Sequence, residues 1–448
     1  MMKYKQSVSL DVAKCKGCTT CLKRCPTEAI RIRDGHAVIS SARCIDCGEC
    51  IKVCPYKAKK ATHDKLEALE KYKYKIALPA PALYGQFDNL ENIGYVIKGL
   101  YDMGFDDVFE VAKAAELVSA YTRMYLKRPD IPKPVISSAC PAITRIISMN
   151  YPFLCENVIP LLPPVEIAAR LAREKALKEH PELQSEDIGV IFISPCPAKV
   201  SYVKNGFAGE SNNIDEVISV RDVYFILIDK MKQLEEDPAE FTEAGMIGIG
   251  WASTGGEASA VFNDRYLATD GIEECIRVLE QIDNEGFTNL DYVELNACSG
   301  GCVGGAMTVA NPYIAQARLQ HLKRYLPVSP NRPEQDDIPD FAYVTESIEY
   351  NPYNALSEDR NVARQMLSEM QSIRNGLPGL DCGSCGAPTC MAFAEDIVKG
   401  ETNVDECTVI MRMLFHEYLE QHKDKALLDK LKPLKPSQPS DKEAADET

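Results

Sequence analysis

Short apolar runs alternate with amphipathic helical patterns through the middle of the chain. KYKYKIALPAPALYGQF reads as a strand over Ile76 to Leu78 leaving into a proline-bounded loop, so a new domain starts there. LENIGYVIKGLYDMG and PVISSAC follow. PPVEIAARLAREKALKEH predicts a helix over 164–179, with Pro164 in its first turn, Glu166 early, and Lys178 and His180 late. IGVIFISPC, IGIGWASTGG and YVELNAC continue the apolar runs. Such alternation predicts an α/β core with largely parallel sheets. VSPNRPEQDDIPDF then breaks the pattern and reads as a linker, a polar helix is expected over 355–374, and another near Met391. The closing KPLKPSQPSDKEAADET has the composition of a disordered tail.

Composition narrows the class. A chain of 448 residues, 45% hydrophobic and 26% charged, exceeds one compact core and predicts two to four domains. No apolar run is long enough to span a membrane and the amino terminus is polar, so a soluble cytoplasmic protein is expected. The formal net charge of −16 argues against nucleic acid as a partner and suits a soluble protein, or one that docks to a basic redox partner. The 18 cysteines, with C-x-x-C clusters and no export signal, point to metal ligation rather than disulfides.

Eight of them form a duplicated motif. Cys15-x2-Cys18-x2-Cys21-x3-Cys25-Pro26 repeats as Cys44-x2-Cys47-x2-Cys50-x3-Cys54-Pro55. Three thiolates from one tight loop hold one 4Fe-4S cube while the fourth, ahead of the proline, reaches the other. Cys15, Cys18, Cys21 and Cys54 are therefore expected on one cluster, and Cys44, Cys47, Cys50 and Cys25 on the second. Zinc would not explain the doubled run. The octet says that electrons pass, not in which direction.

Cys140, Cys196, Cys298 and Cys302 lie at or just after the ends of apolar runs, where an open parallel sheet forms its ligand crevice. Buried free thiols are the competing reading, although the glycines of SGGCVGGA and STGGEA favour close backbone approach to a cofactor. With these motifs in order, residues 1 to about 326 resemble the FeFe-hydrogenase family. Its three signatures look like SSACPAI (137–143), SPCPAK (194–199) and ELNACSGGCVGGA (294–306), supported by LPAPAL (78–83) and WASTGGEA (251–258). The resemblance implies that Cys140, Cys196, Cys298 and Cys302 bind the 4Fe-4S part of an H-cluster. Cys302 would bridge to a two-iron subsite with CO, cyanide and a bridging dithiolate, and Lys199 would hydrogen-bond a cyanide. Cys302 and Lys199 are thus the expected catalytic residues, and hydrogen and protons the substrates. Without that context Lys199 reads as a solvated lysine.

The chain also departs from the family's standard catalytic branch. The proton-relaying cysteine before the first ligand is Ala139 here. Ile143 stands for a tryptophan, Ser194 and Asn296 for methionines, Tyr202 for a glutamate, and Tyr121 and Thr122 for an acidic pair. A methyl group relays no proton, and losing a positioned acid–base group typically costs about 100- to 10,000-fold in rate. A slow, sensing hydrogenase tolerates this; a bulk producer does not. Glu166, Glu257 and Glu294 are candidates for another proton route, against the commoner reading of carboxylates as solvated or ion-paired.

Cys382-x2-Cys385-x4-Cys390-x16-Cys407 offers a last all-cysteine quartet, for a third 4Fe-4S cluster outside the H-cluster or for zinc. It resembles the small helical 4Fe-4S domain of electron-transfer subunits such as those of the Rnf complex. The expected organisation is an α+β bacterial-type ferredoxin domain at 1–65, the H-cluster domain at 66–327, linker and helix at 328–375, the C-terminal 4Fe-4S domain at 376–424, and a tail at 425–448. This combination is similar to the sensory branch called group D. A ferredoxin, kinase or phosphatase is the expected partner, a homodimer is allowed, and neither nucleic acid nor membrane is expected. The alternative is a non-catalytic electron-transfer or cluster-assembly protein lacking the two-iron subsite. Cys155 and Cys275 match no motif and read as buried thiols.

Overall fold

The computed structural model describes residues 4–206, 213–234, 242–284, 286–287, 289–353, 356–357 and 359–422. The expected tail at 425–448 lies outside them. Chain contacts divide the protein into two units, Met1–Asn354 and Ala355–Thr448.

The first unit opens with a small α+β segment. Strand Val8–Leu10 pairs antiparallel with Lys59–Ala61, and Ile30–Arg33 with His36–Ile39. Asp34 and Gly35 both have positive φ, as a two-residue turn matched to the strand twist requires. Two short helices, Thr20–Lys23 and Glu49–Lys52, follow the cysteine loops.

Next comes the α/β body, built on two parallel sheets. The larger runs Asp107–Val108, Tyr74–Pro79, Ile188–Ser194, Glu216–Ser219; the smaller runs Tyr266–Asp270, Tyr292–Asn296, Val135–Ile136. Alternate residues of the larger sheet enter two separate cores. Ile76, Leu78, Val190 and Phe192 pack with helices Val111–Leu126 and Pro164–Glu179, whereas Ala77, Ile191 and Ile193 pack with Gly94–Asp102, Val220–Lys232 and Pro312–Lys323. A parallel sheet covered on both faces reads as a continuous apolar run, which is why all seven residues of Ile188–Ser194 are buried.

Two expectations need correction. The IGIG run is a short helix, Met246–Gly250, because Gly248 lies against Val111–Leu126, where a Cβ would sit 2.1 Å from the Ala112 carbonyl oxygen. The stretch read as a linker packs on the α/β body: Ile338 and Ala342 are buried in its core, and the Leu162 N–H donates to the Ala342 carbonyl. The polar helix expected over 355–374 is present as Arg360–Gly376 and packs against Cys390–Val398 within the second unit. Among the described residues no helix is long and apolar enough to cross a membrane.

Candidate functional site

Within the amino-terminal segment the sulfurs fall into two crossed sets. Burial raises the Cys21 thiol, with the sulfurs of Cys18, Cys54 and Cys15 adding to it against the Lys59 ammonium. Burial likewise raises Cys47, helped by Cys50, Cys25 and Cys44. Each fourth cysteine therefore faces the other loop's thiols. The two halves repeat in detail: the Ala29 N–H donates to Cys25 Sγ at 3.2 Å and the Ala58 N–H to Cys54 Sγ at 3.3 Å. Sulfurs that oppose one another's ionisation become thiolates only with positive charge between them, which iron supplies. Cys25, Cys44, Cys47 and Cys50 line one pocket.

Three strand ends of the α/β body deliver the second site. Val135–Ile136 leads to Cys140, Ile188–Ser194 to Cys196, and Tyr292–Asn296 to Cys298 and Cys302. Cys140 and Cys196 each cap a helix whose next residue is proline, Pro141–Asn150 and Pro197–Asn205, so both thiols stand at the positive end of a helix. Burial pushes the Cys196 thiol up to about 12, with Cys298 and Cys140 adding and Lys199 opposing. Cys302 is raised well above the usual thiol range by burial and by Cys196, Cys140 and Cys298. The four cysteines dispersed through the sequence are thus one electrostatic set, with the Lys199 ammonium acting on it. Gly305 lets the Cys302 loop close: a Cβ there would meet the Pro195 carbonyl oxygen at 2.1 Å.

A seam holds the two sites together. Arg145 Nε donates to the Cys44 carbonyl at 2.8 Å and its Nη2 to that of Ser41 at 3.1 Å. Asp46 accepts from the Ser7 and Val8 N–H groups and from the Ser201 hydroxyl at 2.7 Å. Gly48, at φ 80°, leaves no room for a Cβ, which would lie 2.6 Å from Ala306 Cβ. Lys52 Nζ donates to Glu49 at 2.8 Å, and the Lys52 charge acts on Cys298. The loop of Cys44, Cys47 and Cys50 therefore faces the four-cysteine set.

Beside that set lies a buried acid network. Glu257 Oε1 accepts from the Ser137 hydroxyl at 2.7 Å and the Tyr292 hydroxyl at 2.5 Å, and Ser137 Oγ accepts from the Ala139 N–H at 3.1 Å. Burial raises Glu257, against the hydrogen bonds of Tyr292 and Ser137 and the Lys199 charge. Glu294 is raised by burial and by Glu257, against the N–H groups of Ala258 and Gly255 and the Asn296 amide. Glu166 is buried in the first turn of Pro164–Glu179. Ser137 and Tyr292 were not marked in the sequence, where a hydroxyl in an apolar run carries no signal. Ile143 is fully buried, Tyr202 lies beneath the Lys199 ammonium, Ser194 Oγ donates to the Cys196 carbonyl, and the Thr122 hydroxyl is spent on the Val118 carbonyl. Cys275 and Cys155 are buried; Cys275 donates to the Asn296 carbonyl and lies near Cys140 and Cys298.

In the second unit, Cys382, Cys385, Cys390 and Cys407 line one pocket. Gly383 and Gly386 take positive φ as the chain wraps it, and Cys390 opens the helix Cys390–Val398. Among the described residues no three His, Cys, Asp or Glu side chains are placed to hold a single metal ion; the cysteines surround cavities instead. The donor chemistry and the crossed sets fit 4Fe-4S clusters.

An α/β body carrying a thiol set at its strand ends, joined to cubane-binding segments, defines an iron–sulfur protein. The iron only hydrogenase large subunit, C-terminal domain, matches residues 73–268 and 257–306, more than half of the chain, and the chain belongs to that family. A 4Fe-4S dicluster domain matches residues 7–55, and a Putative Fe-S cluster domain residues 377–409. The chain is 27% identical to the periplasmic Fe hydrogenase large subunit of Nitratidesulfovibrio vulgaris, over 69% of this chain and 88% of that one. It is 24% identical to iron hydrogenase 1 of Clostridium pasteurianum, over 68% of this chain and 59% of that one. A solved FeFe-hydrogenase from Chlamydomonas reinhardtii superposes with a TM-score of 0.44 at 17% identity, covering 57% of this chain and 87% of the other.

Proposed function

We propose that this chain interconverts hydrogen with protons and electrons at an H-cluster held by Cys140, Cys196, Cys298 and Cys302, slowly, and as a sensor of hydrogen rather than a bulk producer. One pairing carries the reading: a complete cysteine set with Lys199 acting on it, and the methyl of Ala139 where the resemblance calls for a relaying thiol. When bound, a two-iron subsite with CO, cyanide and dithiolate supplies the metal at which hydrogen is made or split. The protein's own residues do the rest. Lys199 presents a fixed cation beside Cys196 and Cys302. The Ser137 hydroxyl and Glu257 Oε1 offer a proton path past Ala139, and a carboxyl raised by burial holds its proton where an exposed one would not. Electrons pass between the four-cysteine set and the octet across the Gly48 seam.

Sensing follows from low turnover joined to a second cubane-binding unit, the combination similar to group D. A ferredoxin, kinase or phosphatase would read the state of the clusters. Infrared spectra of protein loaded with the two-iron subsite test the proposal, with carbonyl and cyanide bands that shift between hydrogen and argon as the expected result. Loaded protein with full cubane iron and no such bands would move the reading to a non-catalytic electron-transfer or cluster-assembly protein.

A further inference from the structure

The duplicated cysteine motif has an offset of 29 residues, so each position in one half has a twin in the other. Five residues after Cys25 comes Ile30; five after Cys54 comes Lys59. The two side chains are equally buried, at 2% and 3% exposure, and yet one is aliphatic and the other an ammonium. Strand pleating makes the burial deliberate. Along Lys59–Ala61 alternate residues face opposite sides, and Lys60 points out to Asp11 at 3.0 Å with its side chain 54% exposed. A shift of one residue would have put the inner cation in solvent.

Lys59 Nζ has no hydrogen-bond partner among the described residues. An unpaired buried ammonium is costly to desolvate, and proteins rarely carry one without an anion against it. Among the described residues no carboxylate is paired with it; Lys59 lines the same pocket as Cys54, and its strand packs on the helix Glu49–Lys52 that carries Cys50. The Lys59 charge acts on Cys21 and Cys54, which belong to the first cubane set, and on Cys50, which belongs to the second.

We infer that Lys59 is an internal counter-ion shared by the two amino-terminal cubanes, a buried ammonium beside their thiolate loops that raises the reduction potential of both. A cubane on four thiolates is an anion that gains one more negative charge on reduction, so a nearby cation stabilises the reduced form more than the oxidised one. The twin position with Ile30 gives no such help, so the asymmetry is specific to this half of the repeat. An electron released by hydrogen thereby rests more readily on the octet, where a partner can collect it. This rests on the cluster reading of the eight amino-terminal cysteines and not on hydrogen chemistry; iron content of the unaltered protein tests that reading by itself.

The test is an electron paramagnetic resonance redox titration of the full chain carrying Lys59→Met or Lys59→Arg, with Lys60→Met as the exposed neighbour. Lys59→Met is expected to keep its iron and to lower the reduction constant of both cubanes at least tenfold, about 59 mV for a one-electron couple. Lys59→Arg and Lys60→Met should stay near the unaltered protein. Loss of amino-terminal iron from Lys59→Met with its retention in Lys59→Arg would equally support a required cation. Unchanged potentials in iron-replete Lys59→Met, or loss of iron from both Lys59 variants, would overturn the inference.

Discussion

Glu257→Gln separates proton handling from architecture. In the unaltered protein Oε1 takes both hydroxyl hydrogen bonds, at 2.7 Å from Ser137 and 2.5 Å from Tyr292. A glutamine Oε1 accepts the same two, so the folding cost is on the order of one hydrogen bond, about 1 kcal/mol. What disappears is a group that can gain and lose a proton, and such a loss costs about 100- to 10,000-fold in rate. At about 1.4 kcal/mol per tenfold this is roughly 3–5 kcal/mol in the barrier, well above the structural term. The assay is hydrogen oxidation by enzyme loaded with its two-iron subsite, normalised to infrared band intensity and followed across pH. Because burial raises the Glu257 pKa, its stability contribution is full below the ordinary glutamate range and is lost as pH rises through the raised value. Unaltered protein should therefore lose stability with rising pH over a window where Glu257→Gln does not. Loaded Glu257→Gln with unaltered turnover at every pH would refute the Ser137–Glu257 route.

Three further outcomes are expected. Ala139→Cys should raise turnover by placing a relaying thiol beside Cys140; unchanged turnover in the loaded variant would show that the rate is set elsewhere. Gly48→Ala should cost about 1–2 kcal/mol for a left-handed residue with a Cβ and about 1–3 kcal/mol for overlap with Ala306. The sum is read as a lower urea midpoint for loss of the visible iron–sulfur absorbance. Asp291, at the foot of Tyr292–Asn296, is held at about 2 against the pull of burial by hydrogen bonds from Lys133, Asn263 and Arg265. Its contribution is present above about pH 4 and lost as pH falls towards 2, a slope that Asp291→Asn should flatten in acid unfolding.

The parallel architecture was legible because a sheet covered on both faces writes continuous apolar runs, and the helix at 164–179 appears with those bounds. The octet was equally plain, since its ligands are local. Spacing could not show that Cys140, Cys196, Cys298 and Cys302 share one site, because strand ends far apart in sequence bring them together; only the motif resemblance anticipated it. IGIG was misleading because isoleucine–glycine alternation imitates a strand while serving close helix packing at Gly248. The acid network escaped notice for another reason: Ser137 and Tyr292 gain meaning only when Glu257 arrives from a different segment. Lys59 was written in the duplication but shows only when the two halves are aligned and its burial is known.

On the proposed function, the seam of Arg145, Asp46 and Gly48 would change the kinetics of communication. Proteins that exchange electrons by meeting in solution do so at rates set by encounter, and those rates fall with ionic strength when charges steer them. With both sets loaded as proposed, donor and acceptor would already be in place, so the internal transfer would be first order, independent of protein concentration and little altered by salt. Any salt or concentration dependence measured for the whole process would then report the arrival and departure of an external partner, which would make ionic strength a direct means of separating internal electron flow from the proposed signalling.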